Sequence, residues 1–256
     1  MSHPNPDTAP SPRLSVVVPA FQEHDRIAST VAALRDALGA LDGGVEIVVV
    51  DDGSSDGTAD EARAAGAAQV IVLPVNRGKG AAVRTGMAAA RGRTVAFTDA
   101  DLSYAPSQLV DLLEHVESGY DVVVGSRAHA DTTTVVRAGL VRQVGGRVIN
   151  LCTRSVLQGK YRDTQCGLKA FTADAARLVC ERGRVDGFSF DVELFVIVER
   201  NGLKLFEAPV TVANTSRSTV NVARDGVRLV RDVLRIRRWA RAGVYDAAGG
   251  VGSGPS

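Results

Sequence analysis

Short β-branched runs alternate with alanine-rich stretches of helical period through the first half of the chain. "LSVVVPA" from Leu14, "VEIVVVDD" from Val45, "QVIVL" from Gln69, "TVAFTDA" from Thr94 and "DVVVGS" from Asp121 predict strands. Helices are expected between them, near 25–40, 58–66, 80–91 and 106–118. Strands that are apolar throughout belong to a parallel sheet covered on both faces, and such sheets collect ligands at the carboxyl ends of their strands. The second half is less regular, with helical patterns near 136–157, 174–182 and 190–201, a strand near 203–212 and a long basic helix over 221–241. The expected fold is α/β, a mostly parallel central sheet flanked by helices. One domain over 14–241 is expected, with a proline-rich disordered leader at 1–13 and a Gly/Ser-rich flexible tail at 242–256.

Composition narrows the function classes. Thirty basic residues nearly cancel twenty-nine acidic ones, so no global field recruits nucleic acid, and none is expected as a partner. Cys152, Cys166 and Cys180 show no C-x-x-C spacing and no secretory h-region lies near Met1, which implies a reduced cytoplasmic protein. Charges or prolines interrupt every apolar run before the roughly 18–20 residues a bilayer requires.

Four predicted strands end in chemistry: Pro19 to Glu23, Asp51 to Gly57, Asp99-Ala100-Asp101, and Gly125-Ser126-Arg127. If the strands are parallel, these ends meet on one edge. In "DDGSSDGTADE" the serines and glycines are turn chemistry, and Thr58 with Glu61 would form a capping box; the paired Asp51 and Asp52 point instead to a base or ribose ligand. "NRGKGAAVRTGM" lacks the first glycine and the hydroxyl of a Walker loop, leaving two readings: an anion site at a helix N-terminus, helped by Arg77 and Lys79, or a plain helix cap. Asp99 and Asp101 repel each other, with nothing obvious in the sequence to neutralise them. A hard divalent cation removes that repulsion, and Mg²⁺ or Mn²⁺ held by one or two carboxylates fills its remaining positions with water and substrate phosphates. The alternative is capping of the 106–118 helix by Asp101 or Ser103.

Arg224, Arg228, Arg231, Arg235 and Arg238 recur at intervals of four and three, on one face of the long basic helix. That stripe is either a contact for an anionic membrane surface or the solvated side of a packed helix.

With "VVVPAFQE", "VVVDDGSSDGT", "NRGKGAAVRTGM", "DADLS", "GSRAHA", "YRDTQCGLKAFT" and "FSFDVELF" in this order, the chain resembles the family 2 glycosyltransferases of GT-A fold, and among them the polyprenyl-phosphate sugar synthases, from about Leu14 to Arg238. The resemblance implies an inverting, metal-dependent hexosyltransferase using Mg²⁺ or Mn²⁺, with UDP-glucose as donor and a polyprenyl phosphate as acceptor, peripheral on the cytoplasmic membrane face. A soluble or glycan hydroxyl acceptor and a non-catalytic nucleotide-sugar-binding protein are the other readings. It divides the domain into a nucleotide-sugar half (14–127), an acceptor half (128–220) and the basic helix. Pro19, Phe21, Glu23, Val50, Asp52, Lys79 and Ala100 would hold the donor, with Asp99 and Asp101 on the metal and diphosphate. Asp101, Asp191, Asp163 and Arg127 would be catalytic, and Arg127, Gln165, Lys169 and Arg217 would face the acceptor. Asp191 and Glu193 would stand where inverting relatives keep a carboxylate; as first-turn acids they also complement a helix dipole. Phe188 and Phe190 flank Asp191 with apolar bulk that makes an idle charge expensive. The chain departs from the family at "SRST", where Ser-Lys is usual and Arg217 would supply the charge.

Overall fold

The computed structural model describes residues 11–129, 132–134, 161, 163–212 and 222–246; Cys152, Arg217 and the expected 136–157 helix lie outside them. Five strands fall where the apolar runs place them: β1 (Leu14–Ala20), β2 (Val45–Asp51), β3 (Gln69–Val72), β4 (Thr94–Phe97) and β5 (Val122–Ser126). Helices α1 (His24–Leu38), α2 (Thr58–Ala64), α3 (Lys79–Ala89) and α4 (Gln108–Glu117) separate them. After β6 (Thr133–Thr134) and β7 (Lys169–Thr172) come α5 (Ala173–Arg182), α6 (Phe190–Arg200), β8 (Leu205–Pro209), β9 (Thr211–Val212) and α7 (Val222–Arg241).

The main sheet runs β3-β2-β1-β4-β7-β5-β8. β3, β2, β1 and β4 are mutually parallel, β5 is parallel to β8, and β7 is antiparallel to both β4 and β5. The 203–212 strand is divided at Val210, whose N–H donates to Thr132 Oγ1 at 3.3 Å, and β9 pairs with β6 instead. β7 was not expected. It is four residues long and begins with a lysine, so its pattern does not read as a buried strand.

Both faces of the sheet are covered, as apolar parallel strands require. Val17, Val50, Phe97, Val124 and Phe171 pack against α3, α5 and α6 through Val83, Val179 and Phe195. Val16, Val18, Val49 and Ala96 pack against α1 and α4 through Ile27, Leu34, Leu109 and Leu113. α3 sits unusually close to the sheet, since a Cβ on Gly86 would lie 2.3 Å from Val17 Cγ1. That approach fixes where the N-terminus of α3, with Lys79, meets the strand ends.

Residues 242–246, expected to begin the loose tail, are bound to the body. Tyr245 is fully buried, its hydroxyl donates to Glu193 Oε1 at 2.7 Å, and its carbonyl accepts from Asn201 Nδ2 at 2.8 Å. A lone aromatic in a Gly/Ala-rich segment carries no periodicity, which is why the pattern missed it.

Candidate active site

Parallel pairing brings the ends of β1, β2 and β4 to one edge, and the antiparallel β7 starts there, with Lys169 opposite Phe97. At the β1 exit the Phe21 ring is 45% exposed, while Glu23 is half-buried and pairs with Arg26 at 2.7 Å. Burial raises the Glu23 carboxyl above its ordinary range against the pull of Arg26, with Asp101, Asp56 and Asp99 adding to the rise. Acids far apart in sequence therefore feel one another across this cleft. Pro19 leads into the same turn, where Gln22 holds φ 56° and its N–H donates to Ser54 Oγ at 2.9 Å. Gln22 and Leu102 (φ 46°) are the non-glycine residues with positive φ among the described residues, and both border the cleft.

At the β2 exit Asp51 Oδ1 accepts the Ser54 N–H at 2.9 Å. Asp52 accepts from the Arg77 N–H at 2.8 Å and the Gly78 N–H at 2.7 Å, one on each oxygen. It anchors the 76–78 loop, a role the sequence did not reveal. Val50 is fully buried and its side chain lies against Gly86 in the core, so only its backbone faces the edge. The capping box at Thr58 and Glu61 is absent: Asp56 Oδ1 accepts the Thr58 N–H at 3.1 Å, and Thr58 Oγ1 accepts the Glu23 N–H at 2.9 Å. The Thr58 hydroxyl is thus spent on joining the β1 and β2 turns.

The start of α3 answers the question left by "NRGKG". Cβ atoms on Gly78 and Gly80 would lie 2.7 Å from Asp186 O and 2.6 Å from Phe190 Cβ, and the Ala81 N–H donates to Asp186 O at 3.1 Å. The glycines admit the close approach of the 185–187 chain. Asp186 then clamps Arg84 and, at 3.2 Å, Arg77.

Asp99 is neutralised within the chain, contrary to the sequence expectation, because Lys79 Nζ pairs with its Oδ1. Burial would lower the Lys79 ammonium, but Asp99, Asp191 and Asp101 outweigh it and hold the group above its ordinary value, so it stays charged. Asp99 Oδ2 lies over Gly167, where a Cβ would stand 2.0 Å away. Gly167→Ala should therefore displace the carboxylate. The expected result is a fall in transfer of about tenfold or more, with unchanged circular dichroism, since misplacement near 1 Å can reduce rates by about 10²; full activity would mean that Asp99 need not sit there. Asp101 Oδ1 accepts the Ser103 N–H at 2.9 Å, but α4 begins only at Gln108, so neither residue caps it. Ala100 is buried and its carbonyl accepts from Thr30 Oγ1 at 2.6 Å, which locks the middle of the triplet.

Deeper in, Lys169 has no exposed surface. Its Nζ donates to Asp191 Oδ1 and to the Cys166 carbonyl, both at 2.6 Å, and lies 5.3 Å from the Phe97 ring centroid. Lys169 therefore does not line an acceptor surface as expected; it holds Asp191. Burial pushes the Asp191 carboxyl up while Lys169 and Lys79 pull it down, and the rise prevails. Phe190 is buried beside it, but Phe188 is 54% exposed and gives it no apolar cover. Glu193 faces elsewhere: it accepts the Arg184 and Val185 N–H groups and the Tyr245 hydroxyl, so it belongs to the packing and not to the cleft.

At the β5 exit Arg127 and Asp163 meet as a fork, Nε to Oδ2 at 2.7 Å and Nη2 to Oδ1 at 2.9 Å. Asp163 orients Arg127, whose side chain is 45% exposed. The Gln165 N–H donates to Asp163 Oδ1 at 3.1 Å, and its buried Nε2 has no partner among the described residues. Burial would lift the Asp163 carboxyl, but Arg127 holds it below its ordinary 3.8. The stability this contributes is complete above the unfolded value and is lost as pH falls through the folded one. Urea midpoints of Asp163→Asn should accordingly depend less on pH below about 4; an acid limb equal to that of the parent protein would contradict the pair.

A mostly parallel central sheet flanked by helices is the architecture of the GT-A nucleotide-sugar transferases. Residues 15–175 match the model of the family described as glycosyl transferase family 2, and the chain belongs to that family. A dolichyl-phosphate β-glucosyltransferase of Drosophila melanogaster is 32% identical over 262 residues, covering 94% of this chain and 78% of the relative. That of Saccharomyces cerevisiae is 30% identical over 259 residues, covering 91% and 76%. Among solved structures, glucosyl-3-phosphoglycerate synthase from Mycobacterium tuberculosis in complex with Mn²⁺, UDP-glucose and phosphoglyceric acid is 26% identical, with a TM-score of 0.66 over 94% of this chain and 83% of that one.

Proposed function

We propose that this protein transfers glucose from UDP-glucose to a polyprenyl phosphate. Its relatives named dolichyl-phosphate β-glucosyltransferase support the lipid phosphate, and the metal- and UDP-glucose-bound neighbour supports the donor. The observation that favours a phosphate acceptor over a hydroxyl is the state of Asp191: 3% exposed and engaged by Lys169, it is poorly placed to take a proton. An ionised phosphate needs no general base.

The donor lies across the β1, β2 and β4 exits, with Phe21 and Glu23 on the nucleotide and Pro19, Val50 and Ala100 offering backbone. Among the described residues no group of three His, Cys, Asp or Glu closes a protein cage for a metal. Two carboxylates beside an open cleft suit Mg²⁺ or Mn²⁺, which keep positions for substrate phosphates. Asp101, with Asp99, would hold the ion, which when bound stabilises the charge gathering on the departing diphosphate. Lys79 contributes a second, permanent positive charge at the same place. Arg127, aimed by Asp163, faces the acceptor phosphate. A lipid acceptor puts the reaction at a membrane surface, and the arginines of α7 are read as the attraction towards it.

A second reading follows from the structural neighbour crystallised with phosphoglyceric acid: a small, water-soluble phosphorylated acceptor. Incubation with labelled UDP-glucose, polyprenyl phosphate or phosphoglycerate, and Mg²⁺ or Mn²⁺, followed by thin-layer separation of the lipid extract, decides. Label in the organic phase is expected; label only in a water-soluble product would overturn the lipid reading.

A further inference from the structure

We propose that the outward side of α7 is the surface on which this protein rests on an anionic bilayer, Val230 and Leu234 entering the headgroup layer while Arg231, Arg235 and Arg238 pair with lipid phosphates. The inference rests on the reading of the acceptor as a lipid phosphate, and it assigns the contact to one helix face. Leu229, Val233, Ile236 and Ala240 are buried, so α7 lies along the body with its opposite half in solvent. On that half Val230 is 46% and Leu234 59% exposed, one helical turn apart. Arg228, Arg231, Arg235 and Arg238 are exposed on the same half, where Asp232 reaches Arg235 at 4.0 Å. Arg235 also lies 5.3 Å from the Trp239 ring centroid, an apolar and cationic pairing suited to the membrane interface. The side chain of Arg224 lies outside the described residues.

The helix is fastened at its C-terminal end by the buried Tyr245 and by Arg200 to Asp246 at 3.6 Å. Val230 and Leu234 set two exposed aliphatic side chains together within this basic half. The combination of aliphatic residues below and guanidinium groups above matches a surface whose phosphates overlie hydrocarbon. Against a second copy of this chain, the same face would set arginines beside arginines, which opposes association.

The test is cosedimentation of the full chain with phosphatidylcholine vesicles, with and without phosphatidylglycerol, at rising salt. Binding is expected only with phosphatidylglycerol, weakening as salt screens the charges. R231Q/R235Q should weaken it by about fivefold for each charge removed, and V230S/L234S should weaken it while keeping the melting curve. Binding unchanged in both variants, or equal on pure phosphatidylcholine, overturns the proposal, as does a dimer in sedimentation velocity that V230S/L234S abolishes. Transfer to a short, water-soluble prenyl phosphate is measured in parallel and should be equal in all three proteins. Its absence in all of them would sink the lipid-phosphate reading itself, whereas normal transfer without vesicle binding would sink only the assignment of this face.

Discussion

Asp101→Asn should lower turnover by about 10²–10³-fold, the effect of removing one electrostatic stabiliser of a departing group. Asparagine keeps an acceptor oxygen for the Ser103 N–H, so the turn that places residue 101 survives and the fold with it. What disappears is one of the negative charges that raise the Glu23 carboxyl in this cleft. Lys79 still neutralises Asp99, so the loss falls on the binding of a divalent cation and not on the local charge balance. The measurement is UDP release at saturating donor across a Mn²⁺ titration, with a thermal melt on the same preparations. A near-normal rate with an unshifted Mn²⁺ dependence would remove Asp101 from the metal site, whereas recovery only at higher Mn²⁺ would support it.

Lys169→Met carries the largest expected effect on stability. The ammonium is fully buried and its partner Asp191 is nearly so, within a shell containing Phe97 and Phe190. Removing one member of such a pair strands the other charge and typically costs about 3–5 kcal/mol. Methionine fills the volume, so the loss reports the stranded carboxylate and not a cavity. The double variant K169M/D191N removes both charges and should regain much of the loss. Urea unfolding of the three proteins checks this; a single-variant loss below about 1 kcal/mol would mean that water reaches the pair, as in an exposed ion pair.

The parallel sheet was legible because uninterrupted valine runs have no other stable home, and its carboxyl edge followed from topology alone. Asp99 and Asp101 could be placed at that edge from their position after β4. Their neighbours were harder to read. Lys79 and Asp99 are twenty positions apart in sequence, and only the docking of α3 onto the sheet through Gly86 brings them together. Lys169 and Arg127 look alike in sequence as cations beside a motif. Insertion of β7 between β4 and β5 buries the first, while the second stays at the rim. Asp52 could be seen as an acid at a strand end, but not as the anchor of two backbone N–H groups beyond β3. Burial and partnership depend on which elements pack against a residue, and no local pattern records that.

The phenol of Tyr245 plugs a socket beside Glu193. A chain trimmed just after Arg241 would lose this stopper, leaving Glu193 with only the Arg184 and Val185 N–H groups and an open socket behind them. Those two residues adjoin Asp186, which grips the start of α3, so looseness at the trimmed end would spread towards Lys79. A purification tag is therefore better joined beyond the 246 position than grafted onto the helix.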